Sequence, residues 1–458
     1  MKRFKSISPH DFAVLGQVAI TTGEEIRARV AAARMMLPAW RGLGVAGRVE
    51  ILRRVASNMQ SRAEELATTI AKEMGMPITS AHHDVTDAIA YLSWYLDNAA
   101  TYLAPEVTLE NSEEVHTVYA EPIGVAGAIV PWNFPASNFV WGCGQALVAG
   151  NTVVFKHSEE VPLVGQIIDK IMKESGIPEG VFNQVYGRGP VGALLSRSDI
   201  DLIIFTGSTE TGASLYRTAA AGMKRIVMEL GGSAPGIIFD DADVPAAVGN
   251  VYDNRFTNAG QMCDALKRLL VHESVWDLTL QTLHNKLEMV RLGNPSDPNT
   301  TMGPLVNRDQ LRTLEAQVAD AVSKGATVLR GGKQPGFDGA YYEPTVLINI
   351  TPDMRVWQEE TFGPVLPIVK FKTEEEAVQL ANNTTYGLGA YVYTKNKERA
   401  TRVAAQLQSG MVSVNSVSYV KPMNPFGGYK RSGLGREHGR WGFDEVTQKK
   451  VISRPKNS

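Results

Sequence analysis

Two cysteines in 458 residues, Cys143 and Cys263, leave no material for a disulfide framework or a thiolate zinc site. The eight histidines do not supply a metal site either. His82 and His83 are adjacent, so on a helix they diverge by about 100° instead of chelating as an i, i+4 pair would. No metal is expected. Neither sign of charge dominates: 46 basic residues against 48 acidic leave −2, with a pI near 6.5. That excludes broad attraction to nucleic acid or to anionic lipid. No apolar run reaches transmembrane length, so no membrane partner is expected. The opening MKRFKSISPHDF has basic residues but no apolar segment after them, so it does not read as a signal peptide. Scarce cysteine and no export signal fit a reducing compartment, and a cytoplasmic location is expected.

What is present is ordinary globular material, 44% hydrophobic and 21% charged. The length suggests roughly three domains, or two with an appendage. Residues up to about 102 carry helical spacing: Ile26, Val30, Ala33 and Met36 in one helix, then helices over about 49–74 and 85–102. Residues 103–120 alternate apolar and polar around Asn111-Ser112, the pattern of an extended hairpin. From 121 onward, apolar strands at 124–130, 152–156, 182–186, 202–206 and 225–229 alternate with amphipathic helices. A second alternating set follows Gly231-Gly232, with strands at 236–239, 268–272, 327–329, 389–393 and 411–415. Such alternation predicts two doubly wound, parallel-sheet α/β domains in series, with a site at the carboxyl ends of strands or between the domains. The glycine-dense stretch 425–442 reads as loop.

Gly187-Arg188-Gly189-Pro190-Val191-Gly192 is a formal dinucleotide fingerprint, weak by itself because no acidic residue follows at the ribose distance. Gly207 to Gly212 is a second glycine turn, without the Lys-Ser/Thr of an ATP loop; its helix-start amides suit a phosphate. Cys143 lies in an apolar segment and reads as core. Cys263 follows the polar turn Asn258-Ala259-Gly260-Gln261-Met262 and is a candidate nucleophile. Glu229, ending an apolar strand beside two glycines, is a candidate base, and Asn133, in Pro131-Trp132-Asn133-Phe134-Pro135, can offer an amide N–H to an oxyanion.

At these residues the chain resembles the aldehyde dehydrogenase superfamily, in an ordered series across nearly its whole length. PWNFP stands at 131–135, FTGSTETG at 205–212, MELGG at 228–232, NAGQMC at 258–263, EETFGPV at 359–365 and PFGGYKRSGLGRE at 425–437. The general pattern looks like the bacterial semialdehyde dehydrogenase-like branch. The resemblance implies a thiohemiacetal and then a thioester on Cys263, an oxyanion held by Asn133 and the Cys263 amide, and hydrolysis through water activated by Glu229. Relatives that form acyl-CoA lack this glutamate, so a free acid product is implied.

The same resemblance implies NAD as cofactor, with NADP disfavoured by Glu159. Lys156, Ser158 and Glu159 would meet the adenosine ribose, and Gly189 with Pro190 would line the adenine slot. Phe205, Thr206, Gly207, Ser208 and Thr211 would surround the pyrophosphate. Val130, Pro131, Trp132 and Leu230 would line the cleft, and Glu360 with Phe362 would take the nicotinamide ribose end. Trp141, Met262, Asp264 and Phe426 would wall the substrate tunnel. Relatives that prefer succinate semialdehyde often carry arginine where Trp141 stands. With Asp264 added and that cation missing, neutral aromatic or aliphatic aldehydes, or cationic aminoaldehydes, are expected to outperform succinate semialdehyde; succinate semialdehyde itself is the alternative.

The chain departs from the family in two places, and a third position has an open role. His157 replaces a common proline, Gly142 replaces a lysine assigned to proton relay, and Glu437 matches a second carboxylate for which a structural salt bridge is an equal reading. The implied domains are 1–103 with 123–231 for NAD, 232–431 for catalysis, and 104–122 with 441–458 as an oligomerisation arm. An exposed arm needs a partner, so a homodimer or homotetramer is expected. A thiol esterase using Cys263 and Glu229 would leave Glu159, Ser208 and Glu360 idle. A non-catalytic protein on this scaffold would have no need to keep Cys263, Glu229 and Asn133 together.

Overall fold

The computed structural model describes residues 2–456. The chain opens with an antiparallel hairpin, β1 (Arg3–Ile7) and β2 (Val14–Ala19), too short to stand out in the sequence. Four helices follow: α1 (Gly23–Gly42), α2 (Gly44–Ser61), α3 (Ala63–Met74) and α4 (Ile78–Tyr102). Thr22 and Glu25 form a capping box at the start of α1. The single helix expected over 49–74 is two, broken at Arg62, whose guanidinium pairs with Glu65 and Glu174. β3 (Glu106–Glu110) and β4 (Glu114–Pro122) then form the expected hairpin.

The first large sheet takes β5 (Val125–Ile129), β6 (Thr152–Lys156), β7 (Phe182–Val185), β8 (Leu202–Thr206) and β9 (Arg225–Glu229), all parallel. Their spatial order, β9-β8-β5-β6-β7, reverses direction between β5 and β8, which opens a crevice at the carboxyl edge. Alternation sends successive side chains to opposite faces. Val153 and Phe155 join α2–α4 and α5 (Pro135–Ala149) on one side. Val154 joins α1, α7 (Gly189–Arg197) and α8 (Thr209–Ala221) on the other. Buried carboxylates cap two helix starts in place of local caps. Asp84 accepts from the Ala136 and Ser137 amides at α5, and Glu73 from Leu163 and Val164 at α6 (Pro162–Glu174).

The second sheet runs β12-β13-β14-β11-β10-β15-β16. Its members are β10 (Ala234–Ile238), β11 (Leu266–His272), β12 (Thr327–Arg330), β13 (Thr345–Ile348), β14 (Val365–Phe371), β15 (Gly389–Tyr393) and β16 (Met411–Val414), parallel except for β12. The helices α9 (Val244–Phe256), α10 (Trp276–Leu287) and α11 (Arg308–Ser323) cover one face. After the short α12 (Arg355–Gln358), α13 (Glu374–Asn382) and α14 (Lys397–Gln406) cover the other. Both sheets are therefore doubly wound, as expected.

The stretch 425–442 is not all loop. β17 (Gly433–Leu434) returns to the first sheet antiparallel to β9, and α15 (Gly439–Glu445) begins inside the stretch. β18 (Thr447–Pro455) then pairs along β4, giving a three-stranded arm β18-β4-β3 whose outer strand β3 is exposed at every residue. Among the described residues, no helix is long and apolar enough to cross a membrane.

Candidate active site

Strand register assembles the first half of the site. Ile129 stands opposite both Lys156 and Phe205, and Thr206 stands opposite Glu229. The ends of β5, β6, β8 and β9 thus bring Val130 to Trp132, Lys156 to Glu159, Phe205 to Ser208, and Glu229 with Leu230 to one carboxyl edge. Gly189 and Pro190 open α7 just beyond β7 and are exposed. Ser208 caps α8, accepting from the Thr211 amide at 3.3 Å, so the free amides of that helix face the same edge. Lys156 Nζ bonds Glu159 at 3.1 Å and the His157 carbonyl at 3.2 Å.

His157 is buried, and that burial lowers its pKa to about 3. It accepts from the Ser158 amide through Nδ1 and donates from Nε2 to the Pro135 carbonyl at 3.2 Å. Both nitrogens are committed to backbone, so the ring is a neutral brace.

The second half comes from the turn between α9 and β11. Asn258 and Ala259 hold φ of 52° and 51°, left-handed values that non-glycine residues adopt at a cost. Amides hold the turn in place. Asn133 donates to the Gln261 carbonyl at 3.1 Å, Asn258 donates to the Asn133 carbonyl at 2.8 Å, and Gln261 accepts from the Val306 amide. The turn that carries Cys263 is therefore tied directly to the PWNFP loop at the end of β5. Cys263 keeps partial exposure, whereas Cys143 is fully buried. Burial pushes the Cys263 thiol up, with Asp264 adding to the rise and Lys267 opposing it.

Glu229 is buried and neither carboxylate oxygen has a partner. Burial first, and then the charge of Glu437, raise it well above the usual carboxylate range, while Arg436 pulls it down. Its charge also bears on the Cys263 thiol. Glu437 makes no ion pair among the described residues, so the salt-bridge reading of it fails. Burial raises it to about 7, and its Oε1 is unpartnered.

Glu360 accepts from the Gly232 amide at 3.0 Å and pairs with Lys267 at 2.6 Å. Phe362 meets Trp132 edge to face at 5.6 Å between ring centres. Phe426 packs with Leu388 and Met411 against Cys263 and stacks on Trp141 at 6.4 Å. Tyr91 and His438, which the sequence reading did not single out, complete a ring cluster with them. Tyr91 lies 5.5 Å from Trp141 and 4.9 Å from His438. Tyr91 Oη, Trp141 Nε1 and His438 Nε2 are buried without partners. Asp264 is buried beside Tyr391 and Tyr419; burial raises the phenols of Tyr91, Tyr391 and Tyr419, and the Asp264 charge adds to the rise. Met262 keeps partial exposure on the same turn. No cluster of metal-ligating side chains occurs among the described residues.

The aldehyde dehydrogenase family pattern matches residues 1–452. A probable NADP(+) succinate-semialdehyde dehydrogenase of Sinorhizobium fredii is 37% identical over 454 residues, covering 98% of this chain and 92% of that one. The mitochondrial succinate-semialdehyde dehydrogenase of Homo sapiens is 38% identical, covering 97% and 84%. The crystal structure of PnpE in complex with nicotinamide adenine dinucleotide superposes with a TM-score of 0.97 at 37% identity, covering 100% and 95%. The chain belongs to the aldehyde dehydrogenase family. It is an oxidoreductase that acts on an aldehyde with a nicotinamide dinucleotide.

Proposed function

We propose that Cys263 is the nucleophile, Asn133 and the Cys263 amide the oxyanion donors, and Glu229 the base of a hydrolytic, NAD-preferring aldehyde dehydrogenase. The observation that carries this reading is the junction of the two halves: Asn133 is bonded to the turn bearing Cys263, and the unpartnered Glu229 carboxylate bears on its thiol. The Cys263 thiolate adds to the aldehyde carbon, and the oxyanion takes N–H bonds from Asn133 and the backbone. Glu360 and Phe362 would hold the nicotinamide end of the cofactor, which would supply a hydride acceptor for oxidation to the thioester level. Glu229 then takes a proton from water, whose oxygen attacks the thioester carbon; the acid leaves and the thiolate returns.

The set at the carboxyl edge fits a dinucleotide. Lys156 and Glu159 suit ribose hydroxyls, and the α8 start with Ser208 suits a diphosphate. Glu360 beside Phe362 suits the second ribose. Preference for NAD rests on Glu159, and the committed hydrogen bonds of His157 leave it no charge to offer a 2′-phosphate. Residues 1–103 with 123–231 would form the cofactor unit, 232–431 the catalytic unit, and 104–122 with 441–458 the arm. The exposed edge of β3 supports a homodimer or homotetramer, and the scarcity of cysteine a cytoplasmic location.

For substrate, the cluster of Tyr91, Trp141, Phe426 and His438 near Asp264 favours an uncharged aromatic or aliphatic aldehyde, or one bearing an ammonium group. The names of the relatives favour a second reading, succinate semialdehyde. Under that reading Lys421, exposed in the loop before Pro425, would swing in to serve the carboxylate. Reduction of NAD by Cys263→Ala tests the mechanism. It should fall to background while the cofactor still binds; substantial turnover in the folded variant would overturn it. NADH formation across a panel of aldehydes, compared as kcat/KM, tests the substrate class.

A further inference from the structure

β11 reads LKRLLVH, and its second residue, Lys267, has a side chain only 1% exposed. A buried ammonium is costly unless several acceptors surround it. This one donates to the Cys263 carbonyl at 2.6 Å and to Glu360 Oε1 at 2.6 Å, and lies 5.5 Å from the centre of the Phe362 ring. The approach depends on missing side chains. A β-carbon on Gly232 would stand 2.6 Å from the Cys263 carbonyl oxygen, and one on Gly231 would collide with Glu360 Oε2. The Gly232 amide adds a third hold, donating to the same Glu360 oxygen as Lys267. Four separate stretches of chain therefore meet at one cation: the thiol turn, the two glycines after β9, β11, and the segment 360–362.

Pairing the half-buried Glu360 carboxylate needs only the ion pair. The bond to the backbone of the residue that bears the thiol is extra, and it makes the position of one group depend on the other.

We propose that Lys267 is a positioning residue that fastens the Cys263 turn to Glu360, so that the nucleophile and the carboxylate facing the cofactor are set by a single cation. The inference rests on the roles given above to Cys263 and Glu360. It implies that losing Lys267 weakens cofactor binding and thiol activation together.

The test is a double-mutant cycle in the full-length protein with K267M, E360Q and the pair. K267M should raise KM for NAD about tenfold, the usual worth of one charged hydrogen bond. It should also move the pH dependence of Cys263 alkylation by iodoacetamide to higher pH. Asp264, Glu229 and Glu360 bear on that thiol with the opposite sign to Lys267. E360Q alone should raise KM for NAD, and the double variant should be no worse than the poorer single. K267R should restore part of both readouts. Additive effects, or an unchanged KM and alkylation profile at an unchanged Tm, would overturn the inference. Should K267M lose the fold, K267Q carries the same cycle, since it keeps a donor for the Cys263 carbonyl without the charge. Turnover surviving in Cys263→Ala would instead remove the assignment beneath it, a result that these variants cannot produce.

Discussion

Glu229 lies over Gly427: a β-carbon at residue 427 would stand 2.7 Å from its Oε1. The glycine of the C-terminal stretch thus leaves room for a carboxylate contributed by a strand of the first sheet. Gly427 also holds φ of 153°, inside the range that favours glycine. Gly427→Ala should displace Glu229, lower turnover at least tenfold and cost about 1–3 kcal/mol of stability. Alkylation of Cys263 should be much less affected, and equal loss of both activities would show that the whole site had shifted.

The pH dependence of turnover should come from Glu229. Its carboxyl is held above the usual range, so the base form appears only as pH rises, and turnover should climb with pH where thioester hydrolysis limits. Glu229→Gln should remove that limb and slow turnover about 10²–10⁴-fold, with a burst of NADH before the steady state. Glu437 raises Glu229 and Arg436 lowers it. Glu437→Gln should therefore move the limb to lower pH and Arg436→Gln to higher pH. Shifts in the same direction would contradict the assignment.

Under the proposed cofactor site, the choice between NAD and NADP turns on Glu159. Its charge, paired with Lys156, suits two ribose hydroxyls and repels a 2′-phosphate. Glu159→Gln should raise the ratio of kcat/KM for NADP to that for NAD about tenfold or more, since one close unit charge is worth about 1–4 kcal/mol. A parent enzyme already favouring NADP would remove the premise.

Substrate charge should register at Asp264. Its charge bears on both the Cys263 thiol and the Tyr91 phenol. Asp264→Asn should raise kcat/KM for succinate semialdehyde relative to a neutral aldehyde of similar length. An unchanged ratio would mean that the charge is spent on Tyr391 and Tyr419 instead.

The strands of the first sheet's carboxyl edge were legible because each is a short apolar run closed by a polar or glycine turn. Lys267 was not. Read from the sequence, that strand begins at Arg268 and leaves Lys267 outside it. Alternation sends them to opposite sides, and both are buried. Lys267 meets Glu360, while Arg268 donates to the carbonyls of Ser233, Leu380 and Ala381. A pair of cations opening an otherwise apolar run was the available signal. Tyr91 and His438 gave none, because their meeting depends on α4 and the end of the chain packing around α5. The reading of Pro425 onward as loop failed for a related reason: a two-residue strand is stabilised by β9, far away in sequence, and not by its own composition.

The two thiols have a practical consequence. Cys143 lies in the packed interior of α5 and Cys263 at the partly open turn, with no third sulfhydryl to confuse them. A thiol-specific dye should therefore label one group per folded chain and two once the chain is unfolded. The native count, taken before and after substrate turnover, would measure how many molecules in a preparation still carry a free thiol at Cys263.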